Sequence, residues 1–280
     1  MNKNILILGG GLAGCLAAKF FLDKGAKVTI IDRQALGKSF VVARNHVSFH
    51  AHEKMWCATR PVKVVKKIHG IDDLEKARAM YRAKIYGEHS VEKVSINWDT
   101  RHSFLLDTDI IMEAIRPATF IEGEVAAIDD NAVSYKDKSG ASHTIDHNIL
   151  ISTLALPLVC RFTKLSPPPF HHTPIGIKFY PIPPIDYMLI EYFPGEEPYY
   201  RRTSFRAQAS EEYLLNKDYP GINFDAKIFP GKVVPNPETD ALVKRLDRMG
   251  IYQIGRFAQW KPKMFVNHIV PELERRIRLI

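Results

Sequence analysis

Three glycines, Gly9-x-Gly11-x-x-Gly14, and an acid at Asp32 have the spacing best suited to holding a nucleotide. Gly9 permits a tight turn, Gly11 lets backbone approach a pyrophosphate, and Gly14 lets a helix pack close to a strand. A helix opening at Leu12 and Ala13 would direct free N–H groups and its dipole at the phosphates. The Asp32 carboxylate can accept both hydroxyls of an adenosine ribose, with Arg33 beside it. A glycine fingerprint alone is weak, so the elements around it carry the argument. Ile5 to Leu8 is an unbroken apolar run, as in a strand buried on both faces. Ala13, Leu16, Ala17, Phe20 and Phe21 then recur at helical spacing, which predicts a helix from Leu12 to about Lys24, stopped by Gly25. Val28 to Ile31 is a second buried strand, and it delivers Asp32. This order points to dinucleotide binding.

Lys3, the same apolar run and Leu12-Ala13-Gly14-Cys15 also have the outline of a lipoprotein signal ending in a lipidated cysteine. Consecutive glycines at Gly9, Gly10 and Gly11, and the unbroken continuation into helix and strand, weigh against it. Cys15 reads instead as a small helix residue packed on a sheet.

The elements that must position these residues fit a chain of 280 residues with one large core or two modest ones. No apolar run is long enough to span a membrane. Three cysteines (Cys15, Cys57 and Cys160) are odd in number and far apart, which fits a reducing cytosol and a cytoplasmic protein. The net charge of +8 favours anionic substrates, nucleotides or nucleic acid, or else reflects a scattered solvated surface. Its clusters are Lys63, Lys66 and Lys67; Arg201, Arg202 and Arg206; and Arg275, Arg276 and Arg278. His46 and His50 share a face only in a helix. With His52 they have no evident carboxylate or cysteine partner, so no metal site is assigned. His171 and His172 fall in a proline-rich loop and are expected to be exposed.

Asp72 or Asp73 caps a helix carrying Leu74, Ala77, Met80, Tyr81 and Ile85, with Gly87 as its stop. Asp107 caps another from Thr108 to Ile115, so residues 51–116 are expected to be a mostly helical insertion. The period then changes to two, and Phe120–Ile128, Ala132–Tyr135 and Ser142–Ile145 read as a β-meander before the buried run Ile149–Thr153. Ten prolines between Pro157 and Pro198 rule out a continuous helix and favour extended segments such as Gly176–Tyr180 and Tyr187–Phe193. Asn236-Pro237 opens a helix closed at Gly250. A short strand, a Gly255-Arg256 turn and a helical region interrupted at Pro271 complete the chain.

This order resembles the FAD-binding domains of the glutathione-reductase type: α/β, Rossmann-like, with a β-meander. Three further stretches resemble one flavoprotein group, the amine oxidases, protoporphyrinogen oxidases and UDP-galactopyranose mutases. Asp146-His-Asn-Ile-Leu-Ile-Ser-Thr-Leu-Ala-Leu-Pro157 is similar to their strand returning to the flavin. Tyr192-Phe-Pro-Gly-Glu-Glu-Pro-Tyr-Tyr-Arg201 resembles the segment that brings an arginine into the substrate pocket. Gly255-Arg256-Phe-Ala-Gln-Trp260-Lys-Pro-Lys-Met264 is similar to the closing flavin motif. The resemblance implies FAD as cofactor, with Arg256 on its pyrophosphate, Val125 beside its adenine and Met264 at the start of a helix facing the flavin pyrimidine. Trp260 is either a flavin neighbour or a core aromatic. Arg201 would hold a substrate anion.

The implied architecture is an FAD domain from residues 1–50, 117–160 and 245–280, intertwined with a small α+β substrate domain from 51–116 and 161–244. The implied activity is oxidation of a C–N bond in an amine or amino-acid-type anionic substrate, free or carried on a nucleotide or DNA base, with oxygen as electron acceptor. A non-redox sugar-nucleotide mutase and an inactive flavin-binding protein are the alternatives. Lys261-Pro262 departs from the group's pattern, which has an aromatic residue there, and the substrate domain is shorter than the group's.

Overall fold

The structure, a computed structural model, describes residues 3–36, 55–87, 96, 98 and 101–277. His46, His50, His52 and Arg278 lie outside the described residues. Ile5, Ile7 and Leu8 are each at most 1% exposed, because β1 (Asn4–Leu8) is central in a seven-stranded sheet. It lies between β2 (Lys27–Asp32) and β8 (Ile149–Ser152), both parallel to it. β12 (Ile251–Gln253) extends the parallel set beyond β8, and β5 (Thr119–Ile128) extends it beyond β2. β5 outruns β2 and turns antiparallel into β6 (Ala132–Asp137) and β7 (Ser142–Asp146), the expected meander.

The side-chain alternation of β1 divides two cores. Ile5 and Ile7 face α1 (Leu12–Leu22), α3 (Thr108–Ala114) and α6 (Ile269–Ile277) through Phe21, Ile111 and Leu273. Leu6 and Leu8 face α4 (Leu156–Thr163) and α5 (Pro237–Arg248) through Val159, Leu242 and Leu246. Each such aliphatic side chain contributes about 1.5–3 kcal/mol through its removal from water.

A second sheet has the order β10-β9-β3-β4, with β11 also on β9. Its strands are β3 (Ala58–Ile68), β4 (His102–Leu106), β9 (His172–Tyr192), β10 (Tyr199–Leu214) and β11 (Ala226–Val233). α2 (Leu74–Tyr86), capped by the Asp73 carboxylate, packs on it through Ala77, Tyr81 and Ile85. The β9–β10 ribbon folds over on itself. An extended strand would hold residues eleven apart at about 36 Å, yet Arg201 hydrogen-bonds Glu212 and Arg202 hydrogen-bonds Glu211. The corner lies at Arg206, where two register shifts meet and φ is +53°.

Several expectations need correcting. Residues 51–116 are not mostly helical. β3 and β4 occupy much of the described part, because Val62 and Val64 alternate with polar residues and bury one strand face. Gly176–Tyr180 and Tyr187–Tyr192 are extended as expected, but as parts of one strand, β9. The intervening Pro181, Pro183 and Pro184 lie where β9 has β10 alone as neighbour, so their missing N–H groups interrupt no second ladder. Helix α4 was not expected; Pro157 sits in its first turn, where no N–H is required. Pro271 likewise falls in the first turn of α6 and does not interrupt it. No helix among the described residues is long and apolar enough to cross a membrane.

Candidate functional site

The parallel strands β1, β8 and β12 bring their carboxyl ends together, and the residues that follow them form one cradle. Gly9 N–H donates to Ile31 O at 2.8 Å, and Thr153 Oγ1 donates to Leu8 O at 2.9 Å, so the glycine turn is tied to both neighbouring strands. A Cβ on Gly14 would sit well inside contact distance of the Gly9 carbonyl oxygen, so only glycine allows α1 to start this close to β1. Gly11 caps α1 without a side-chain hydrogen bond, and the first turn has no acidic residue. The donors of Leu12, Ala13 and Gly14 therefore have no intrahelical acceptor, and no acidic side chain of the first turn opposes an anion there.

Asp32 leans over this turn. Its Oδ2 accepts from Gly10 N–H at 2.6 Å and its Oδ1 from Gln34 N–H at 2.9 Å, which leaves lone pairs for further donors. Arg33 is exposed beside it. Val125 is buried where β5 has passed the end of β2 and pairs with Tyr135.

Ile254 N–H donates to Ser152 O at 2.9 Å, and Gly255 follows with φ +108°, a conformation that favours glycine. A Cβ on Gly255 would lie 3.3 Å from Ala13 Cβ, so the Gly255-Arg256 turn rests on the start of α1. The Arg256 guanidinium lies over the Phe265 ring at 5.6 Å. Burial, and then the charge of Arg201, lower its pKa against the opposing influence of Tyr86, Glu212 and Tyr200. Among the described residues no carboxylate forms an ion pair with it. A half-buried cation with no ion-pair partner among the described residues, beside a helix start with free donors, fits a group carrying phosphate charge.

Met264 is half-buried in a loop two residues before a 3-10 helix, Val266–His268, that runs into α6. With Lys261, Lys263 and His268 it lines an open cavity of about 600 Å³. Trp260 is fully buried and packs on Phe170 at 4.7 Å, as a core aromatic.

The chain has the fold of flavin-dependent enzymes. It is similar to a flavin-dependent halogenase from Xanthomonas campestris, with TM-score 0.54 and 12% identity over 98% of this chain and 71% of that one. It is also similar to a flavoprotein/dehydrogenase from Cytophaga hutchinsonii, with TM-score 0.50 and 12% identity over 98% and 79% of the two chains. A glycerol-3-phosphate dehydrogenase from Bacillus halodurans, solved with FAD, matches with TM-score 0.47 and 12% identity over 79% of this chain. The chain spans half the length of that enzyme. No family model and no curated protein matches the sequence.

Facing the Arg256 turn, the folded ribbon carries a second group of polar residues. Arg201 donates through Nε to Glu212 Oε1 at 2.8 Å and through Nη2 to the same oxygen, while the Tyr200 hydroxyl donates to Oε2. Burial alone would raise the Glu212 pKa, but Arg201, Lys232 and the Tyr200 hydrogen bond bring it down to about 2. Burial opposes the charge of Arg201, yet Glu212 and the hydroxyls of Tyr200, Tyr81 and Tyr192 outweigh it and raise its pKa. Arg202 pairs with Glu211 and Arg276 with Asp247 and Glu272, so much of the basic clustering is neutralised within the fold.

Glu212, Lys232, Thr153 and the tyrosines were not singled out from sequence. Thr153 directly follows a readable buried strand. The others meet only through the ribbon corner, for which the prolines of β9 are the sole local signal. Lys84 belongs with them: its ammonium donates to the carbonyls of Phe193, Gly195, Glu197 and Tyr199 at 2.7–3.1 Å, ordering the turn between β9 and β10. The thiols of Cys15, Cys57 and Cys160 are unpaired, and burial pushes each up to about 11 or 12.

Proposed function

We propose that this protein is an FAD-dependent oxidoreductase acting on a C–N bond of an anionic amine or amino-acid-type substrate. The observation that carries the cofactor is the half-buried Arg256, without an ion-pair partner among the described residues, next to Gly255, which packs on the open N-terminus of α1. Leu12, Ala13 and Gly14 would give N–H groups to the pyrophosphate, Arg256 its guanidinium, and Asp32 its remaining lone pairs to the ribose hydroxyls. Arg33 and Val125 would flank the adenosine, and Met264 the flavin end. The division into an FAD domain (1–50, 117–160, 245–280) and a substrate domain (51–116, 161–244) is part of the same reading.

When bound, FAD would supply an acceptor for hydride from a C–H next to nitrogen, the product being an imine opened by water. The chain's own contribution is to orient that C–H and keep the pocket dry, which demands no acid–base pair. Oxygen is the electron acceptor in this reading, since the sequence carries no second glycine fingerprint for a nicotinamide domain. The test is anaerobic: amines and amino acids are added to the FAD-loaded protein and bleaching of the yellow colour is followed. At least one α-amino acid or amine conjugate is expected to bleach it. Turnover of UDP-galactopyranose by the dithionite-reduced protein, with no amine or amino acid bleaching the oxidised form, would favour the mutase reading instead. Arg256→Ala is expected to lower FAD affinity by at least about tenfold, the loss of one charge-assisted contact of ~1.5–3 kcal/mol. Unchanged FAD affinity in that variant would remove Arg256 from the cofactor site.

A further inference from the structure

The corner of the β9–β10 ribbon brings three cations, Arg201, Lys232 and Arg256, around a single carboxylate, Glu212. Both oxygens of that carboxylate are engaged, one by Arg201 and the other by the Tyr200 hydroxyl. Among the described residues the remaining neighbours offer no further negative charge. Tyr81 and Tyr86 on α2, and Tyr192 on β9, are kept neutral by burial, which raises the pKa of each. Lys232, in β11 opposite Thr173, is half-buried with its Nζ 5.0 Å from the Tyr200 ring centroid. Among the described residues its ammonium has no hydrogen-bond acceptor and no ion-pair partner. Arg256 rests on the glycine-loop side of the cluster, where the proposed pyrophosphate lies. Lys232 is on the other side, in the second sheet, half-buried, with only the Tyr200 ring and the charge of Glu212 to offset its desolvation.

We infer that Lys232 receives an oxyanion group of the substrate, a carboxylate or a phosphate, at the junction of the two sheets. Arg201, whose fork is turned to Glu212, is then a positioning residue that holds the carboxylate and tyrosine wall of this site. An ammonium is a point charge with three donors and does not select planar over tetrahedral oxyanions, so both chemistries are admitted. The inference deepens the flavoenzyme reading by naming how its substrate is held, but the anion site itself does not require the flavin.

The site carries a pH signature. Without a ligand, burial and Arg201, opposed by Glu212 and joined by Arg256, push the Lys232 amine down to about 7. A bound anion raises that pKa. Affinity is therefore complete below about pH 7 and declines above it by up to about tenfold per pH unit, until the pKa of the bound state is passed.

The test is calorimetric titration of the FAD-treated protein with sulfate, standing in for phosphate, and separately with acetate. Neither probe changes charge between about pH 6 and pH 9, so any pH dependence belongs to the protein. One or both should bind at a single site, with affinity at least about tenfold weaker at the higher pH. The stronger probe assigns the oxyanion class. Lys232→Met should lose at least about tenfold in affinity at the lower pH, and Lys232→Arg should keep binding but lose the pH dependence. If Lys232→Met does not fold, the wild-type pH series and Lys232→Arg decide. No binding of either anion, or equal binding by Lys232→Met, overturns the inference. So does loss of FAD from Lys232→Met with its anion titration unchanged, because Lys232 would then serve the cofactor. A protein that takes no FAD but binds sulfate with this pH dependence keeps the Lys232 site and removes the flavoenzyme reading.

Discussion

Glu212 is the residue on which the ribbon cluster depends. Its pKa of about 2, against 4.5 for an unperturbed glutamate, means that the folded state holds it ionised more firmly than the unfolded chain does. A folded pKa below the unfolded one contributes stability that is present above the unfolded value and lost as pH falls through the folded value. That contribution is thus complete above about pH 4.5 and vanishes toward pH 2. Glu212→Gln leaves Arg201 without its carboxylate, and breaking a buried pair in this way costs on the order of 3 kcal/mol. Urea unfolding of the two proteins should show that gap at neutral pH, and it should narrow as pH falls below about 4.5. Equal midpoints at neutral pH would mean that solvent already screens the pair. No local feature of the sequence gives Glu212 this role, because Arg201 and Glu212 are neighbours only where the strand turns back at Arg206.

At the scale of elements, the glycine turn was legible because its constraints are local. Gly14 is required by one carbonyl at the end of the preceding strand, and Asp32 by the next strand's end; both are written in consecutive residues. Gly14→Ala should push α1 away from β1 at a cost of about 1–3 kcal/mol, the usual penalty of overpacking, and weaken FAD binding at least about tenfold. Thermal unfolding and FAD titration of this variant check both effects, and an unchanged melting temperature would mean that the helix start is looser than its geometry implies. The meander and the capped helices α2 and α5 were equally readable, from period two and from Asp73 and Asn236. β3 was not, since its valines alternate with lysines over a length that also suits a helix, and its partner β9 lies over a hundred residues away. Pro157 and Pro271 were read as breaks, whereas each stands in a first turn that needs no N–H.

The whole molecule joins two sheets, and the candidate site is made where the carboxyl ends of one face the folded ribbon of the other. Neither sheet suffices: the first offers helix donors, Asp32 and Arg256, and the second offers Lys232 behind the Arg201–Glu212 pair. The net charge of +8, which from sequence alone favours anionic substrates, nucleotides or nucleic acid or else a scattered solvated surface, already counts every carboxylate, but within its clusters Arg201, Arg202 and Arg276 are each paired with carboxylates. The proposed anion site at Lys232 lies beside the proposed dinucleotide cradle. The measurement that bears most directly on this account is the absorbance spectrum of the purified protein, followed by identification of whatever heat denaturation releases. The account predicts a yellow protein that releases FAD and not FMN, or a colourless one that turns yellow on binding added FAD, with Asp32→Ala and Arg256→Ala both weakened. A colourless protein that fails to bind added FAD would contradict it.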